Sequence, residues 1–119
     1  MVTSEKTGWH KIGETNVDFQ KDRDEVSVIG ADRFASLKFK MKDAPIDLMD
    51  VKVYYEDGDV QSVNVNSAIK MNGESRVIDL KGGERSIKKI AFVYKTKPNI
   101  KDKKGHLVIY GLKTNTDKN

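Results

Sequence analysis

Apolar and polar residues alternate along several short stretches of this chain, and that period of two predicts strands. In residues 35–42, Leu37, Phe39 and Met41 fall on one face and Lys38, Lys40 and Lys42 on the other, as in a half-buried strand. Residues 86–95 turn Ile90, Phe92 and Tyr94 inward and set Ala91 and Val93 on a second, partly covered face, which reads as a central strand. Across residues 46–55 the phase slips: Ile46 and Leu48 are even-numbered, whereas Val51, Val53 and Tyr55 are odd-numbered. A bulge near Met49 and Asp50 keeps both sets inside. Tyr54 then faces away from Val53 and Tyr55.

The run Glu56-Asp57-Gly58-Asp59 supplies a tight hairpin, with residues 60–65 as the returning strand. Further strands are read at residues 9–12 with 17–19, at 25–29, at 76–80 and at 106–111, each bounded by Gly, Asn or Asp. Residues 66–71 could form a turn of helix, but Asn72-Gly73 closes it too soon for stability. Regular turn signals without a long amphipathic helix predict an all-β fold, an antiparallel, jelly-roll-like β-sandwich of about eight short strands. The expected organisation is a flexible segment at residues 1–8, one domain at 9–111 and a flexible tail at 112–119.

Composition narrows this picture. A chain of 119 residues suits one domain, and 37% hydrophobic against 34% charged residues leaves material for a thin core. The absence of cysteine excludes disulfides, thiolate metal sites and cysteine nucleophiles, and leaves the redox compartment open. The longest apolar runs fall far short of the roughly 20 residues of a membrane span. The N-terminus carries no charged-then-apolar signal pattern, so export would mean that a signal peptide has been removed. The net charge of +4 arises from 22 basic and 18 acidic residues, a mixed surface that argues against nucleic acid as partner.

Candidate chemistry is sparse. Asp22 and Asp24, and separately Asp57 and Asp59, place two carboxylates on one side of an extended backbone, as calcium ligands would lie, but neither stretch carries the alternating acids of a dedicated calcium loop, and structural or turn roles are the favoured reading. His10 and His106 form no motif, and without a Gly-x-Ser-x-Gly elbow the usual nucleophilic hydrolase chemistry lacks support. Trp9 either stacks a ligand as an exposed platform or plugs one end of the core, and Tyr54 is the better candidate for an exposed aromatic. The Gly82-Gly83 pair precedes no helix and reads as a turn. Arg76 and Arg85 are candidate ligand contacts, or partners for Asp22, Asp24 or Asp79. A polyanion would find Lys38, Lys40 and Lys42 on one strand face and Lys97, Lys101, Lys103 and Lys104 in the connection before the last strand.

Residues 9–13, Asp22-Arg23-Asp24-Glu25-Val26, residues 34–40 and above all the Asp79-Leu80-Lys81-Gly82-Gly83-Glu84-Arg85-Ser86-Ile87-Lys88-Lys89-Ile90 run with Phe92 and Tyr94 carry a resemblance. The chain resembles the DUF2541-like family of small secreted or periplasmic bacterial proteins of unknown function. The resemblance implies a β-sandwich, a periplasmic or secreted location and no established activity. The expectation is a non-catalytic binding or interaction domain of the cell envelope, with an envelope protein or glycan as partner. A polyanion binder using the lysines is the first alternative. A calcium-dependent glycan binder or metal-assisted hydrolase using Asp22, Asp24, Asp57 and Asp59 is the second, with calcium the one candidate cofactor.

Overall fold

The computed structural model describes residues 8–17, 22–28, 32–96 and 105–114. Among them run nine strands and no helix: β1 (Gly8–Val17), β2 (Arg23–Ser27), β3 (Arg33–Phe34), β4 (Ser36–Lys42), β5 (Ile46–Tyr55), β6 (Val60–Ile69), β7 (Ile78–Asp79), β8 (Arg85–Thr96) and β9 (Gly105–Lys113). They pair as two antiparallel sheets, one of four strands in the order β1-β9-β4-β7, the other of five, in the order β2-β8-β5-β6 with β3 also on β8. The expected sandwich is the fold, with one strand more than the approximate count because Arg33 and Phe34 form a short strand of their own.

The alternating positions build the core. Leu37, Phe39 and Met41 of β4 with Leu107 and Ile109 of β9 face Leu48, Val51 and Val53 of β5 and Ile90, Phe92 and Tyr94 of β8, all at most 1% exposed. Phe39 and Phe92 meet edge to face across the sandwich, with ring centroids 5.6 Å apart. Burying each such side chain stabilises the fold by about 1.5–3 kcal/mol before entropy is counted.

The phase slip in β5 is a bulge: its register to both β6 and β8 shifts between Leu48 and Asp50. The hairpin closes at Asp57–Asp59, where Gly58 takes a φ of 99° and the Tyr55 amide donates to the Asp59 carbonyl at 2.9 Å. Residues 66–69 are not helical: they continue β6, because Ile69 is buried opposite Ile46 and burial outweighs local preference. The two stretches expected at the N-terminus are a single strand, β1, with a register shift between Lys11 and Gly13. The strand expected at residues 76–80 shortens to β7, although the segment before it still tracks β4 through Met41 N donating to Gly73 O and Ser75 N donating to Phe39 O. Strand β9 continues past Gly111 to Lys113, which is 2% exposed and meets Asp32 at 3.2 Å. Asp18, Phe19, Ile29 and Gly30 lie outside the described residues. No helix among the described residues is long and apolar enough to cross a membrane.

Candidate functional site

The outer face of the five-stranded sheet carries a trough of about 820 Å³. Its floor is Ala91 and Val93 of the central strand β8, small apolar residues turned away from the core and half-buried. The sheet register dictates the walls. Val93 lies between Arg23 of β2 and Asp50 of β5, and Ala91 between Glu25 and Lys52. On the far side of β5, Asn64 pairs with Asp50 and Ser62 with Lys52. The next row puts Tyr54 beside Lys89, whose ammonium sits 4.7 Å from the phenol ring centroid and 3.3 Å from the Glu25 carboxylate. The bulge before Asp50 restores the outward phase that brings Asp50, Lys52 and Tyr54 onto one face. Such a surface combines an apolar base, one aromatic and hydrogen-bonding groups of both polarities, as ligand clefts do.

A second, structural cluster sits at the hairpin end. Arg85 donates to Asp57 Oδ2 at 2.9 Å, to Asp59 Oδ2 at 3.0 Å and to the Lys81 carbonyl at 3.1 Å, and its guanidinium lies 3.9 Å from the Tyr55 ring centroid. Beneath it the Tyr55 hydroxyl donates to Gln61 Oε1, which also accepts from the Lys81 amide at 3.0 Å, while Gln61 Nε2 donates to the Asp79 carbonyl at 3.2 Å. Gly82 and Gly83, with φ of 87° and 82°, supply the left-handed backbone that returns Arg85 over this network. The carboxylates of Asp57 and Asp59 thus hold a cation of the chain's own. The Asp59 amide donating to Asp57 Oδ1 at 2.9 Å, supported by the Arg85 charge, keeps the Asp57 carboxyl below the usual aspartate range. A carboxyl depressed in the fold contributes stability that is present above its unfolded value and lost as pH falls through its folded one. Melting temperature followed against pH is therefore expected to show this clamp intact from neutrality down to about pH 4 and released below it, and Asp57→Asn is expected to flatten that acid limb.

Apart from Arg85 with Asp57 and Asp59, and Trp9 with Lys38, the sequence candidates do not converge. Trp9 lies on the opposite sheet from Tyr54, half-buried and outside the core, with Lys38 Nζ 4.5 Å from its ring centroid and also 3.2 Å from Glu74. Lys40 and Lys42 follow on the same strand, whereas Lys97, Lys101, Lys103 and Lys104 lie outside the described residues. Arg76 donates to the Val65 and Asn64 carbonyls at 3.3 and 3.0 Å, masking part of edge strand β6. The arginines therefore do not pair as expected with Asp22, Asp24 or Asp79: Arg85 takes the hairpin acids, and Asp79 accepts from the Ser36 hydroxyl at 2.8 Å. Asp24 accepts from the Thr15 hydroxyl at 3.0 Å, and Asp22 lies 3.5 Å from Arg23 Nε. Among the described residues no three His, Asp or Glu side chains gather as a metal site would require. His10 pairs across to Gly111, far along β1 from Asn16, the partner of His106. His106 engages Glu14 at 2.8 Å, a contact that, with Lys11 at 3.2 Å, lowers the Glu14 carboxyl below its usual range.

Arg23, Glu25, Asp50, Lys52, Ser62 and Asn64 were missed because period-two alternation tells which residues face outward but not which strands are neighbours. One signal was present: Ala91 and Val93 are uncharged outward positions in a strand that carries lysine at 88, 89 and 95.

A family model described as a domain of unknown function, DUF2541, matches residues 1–111. No curated protein matches the chain. Among solved structures, AlgX of Pseudomonas aeruginosa is similar, with a TM-score of 0.52 and 12% identity over 84% of this chain. The chain spans 26% of AlgX, so the likeness concerns one part of that protein and shows the fold alone. A family 29 carbohydrate binding module aligns at a TM-score of 0.38 and 14% identity, covering 87% of this chain and 75% of that one. A family two carbohydrate esterase from Cellvibrio japonicus aligns at 0.37 and 8%, covering 96% and 33%.

Proposed function

The chain belongs to the DUF2541 family, and on that premise we propose that it is a non-catalytic binding domain of the bacterial cell envelope whose ligand lies in the trough of the five-stranded sheet. The observation that supports this reading is the floor of Ala91 and Val93 walled by Arg23, Glu25, Asp50, Lys52, Ser62 and Asn64 with Tyr54 at one end. The solvated face of an antiparallel sheet commonly carries polar residues at its outward positions. Here the central strand leaves small residues at its middle, and the polar groups stand on its neighbours. On this reading the trough serves recognition rather than turnover.

Filling the floor tests this. Ala91→Arg places a long charged side chain in the trough without entering the core, since Ala91 faces outward. In a screen of envelope glycans and polyanions, the wild-type chain is expected to retain a ligand that the variant loses by tenfold or more, at an unchanged fold by circular dichroism. Binding that survives Ala91→Arg, or turnover of the retained ligand, would overturn the reading.

A further inference from the structure

Resting on the trough as the binding site, we infer that its ligand is an uncharged, polyhydroxylated chain, a neutral oligosaccharide, rather than a charged polymer or a peptide. The argument begins with charge. Arg23 and Asp50 face each other across Val93, and Glu25 and Lys52 face each other across Ala91, so each row sets one cation against one anion. Glu25 is further neutralised by Lys89 at 3.3 Å. Arg23, Lys52 and Lys89 are interleaved with Glu25 and Asp50, so a polyanion laid along β8 would meet carboxylates beside its cations, and a polycation would meet cations beside its carboxylates. The outward face of β4 on the other sheet carries Lys38, Lys40 and Lys42, with Glu74 on Lys38, and would compete for any anionic ligand.

The arrangement of polar groups completes the case. Each wall holds donors and acceptors together, Arg23 with Glu25 on one side and Lys52, Asn64 and Ser62 with Asp50 on the other, which suits hydroxyls that donate and accept at once. The apolar strip between them is one strand wide and two small residues long and presents a low floor to the C–H face of a sugar ring, with Tyr54, over whose ring the Lys89 ammonium sits, in the next row. An extended peptide is a poorer occupant, because it gains affinity by main-chain pairing at a sheet edge, whereas this trough crosses the sheet's face. A lipid tail or other fully apolar ligand would leave the flanking charges desolvated and unpaired. The volume of about 820 Å³ admits several rings.

The test is calorimetric titration of the whole chain with cellohexaose, chitohexaose and mannohexaose as neutral probes and hexagalacturonate as the anionic one, each at low and high salt. At least one neutral probe is expected to bind with an affinity that changes less than twofold with salt. That affinity should fall at least tenfold in Tyr54→Ala and in Asn64→Ala and stay unchanged in Lys42→Ala on the other sheet. If hexagalacturonate binds instead, with an affinity that Tyr54→Ala removes and salt weakens, the neutral-ligand inference fails while the trough reading survives. If binding of any probe is removed by Lys42→Ala and untouched by Tyr54→Ala and Asn64→Ala, both fail. If none of the four probes binds, the inference of a neutral oligosaccharide is overturned, and the Ala91→Arg screen decides the trough separately.

Discussion

Phe92→Ala is expected to cost about 3–5 kcal/mol of folding stability. Phe92 is 1% exposed and Phe39 is completely buried, one from each sheet, and they meet edge to face with an interplanar angle of 67°. Tyr94 adds a tilted contact with Phe92 at 5.9 Å on the same strand. Truncation removes the transfer energy of the ring, opens a cavity between two sheets that cannot close without repacking, and loses about 0.5–1.5 kcal/mol of aromatic pairing. A domain of this size holds about 5–15 kcal/mol in total, so the variant retains little margin. Urea denaturation is the check: the midpoint should drop steeply with little change in slope, and Phe92→Leu should recover a large part of the loss.

Gly111→Ala is expected to cost about 1–3 kcal/mol, and Gly111→Val more, although both replacements suit a strand better than glycine does. Strand β9 is interior to its sheet, and a β-carbon at position 111 would stand 2.7 and 2.8 Å from the Phe34 ring, which is 4% exposed and held by the core. The glycine exists so that the ring of β3 can lie directly on the backbone of β9, tying the two sheets at this end. A double-mutant cycle isolates the effect: in a Phe34→Leu background the added cost of Gly111→Ala should shrink markedly, whereas in a background altered at the distant Gly58 turn it should not.

How much of this was legible in sequence follows from what a period of two can carry. The inward sets of β4 and β8, the bulge before Asp50 and the hairpin at Asp57–Asp59 were readable because each depends on neighbours a few positions away. The trough was not, because its residues come from β2, β8, β5 and β6, and nothing in local pattern orders those strands. Arg85 shows the same limit from the other side. Its position after two glycines was readable as a turn, but its partner Asp57 lies 28 positions away, and a nearer acid, Asp79, belongs to Ser36 instead. Trp9 offered two readings, core plug and open platform, and the fold takes neither in full: the ring is half-buried beneath the ammonium of Lys38. The family run from Asp79 to Ile90 turns out to serve the fold, since its glycines and arginine lock the hairpin end over Tyr55 and Gln61 rather than forming the trough.

The trough is the proposed place where this sandwich meets a ligand. Backbone amide chemical shifts recorded during titration with the same neutral and anionic hexasaccharides locate the contact directly. The expected result is a contiguous set of shifts at Arg23 to Glu25, Asp50 to Tyr54 and Ala91 to Val93, with Lys38 to Lys42 unmoved. Shifts confined to Lys38 to Lys42 and the neighbouring residues of β9, with the trough silent, would contradict it.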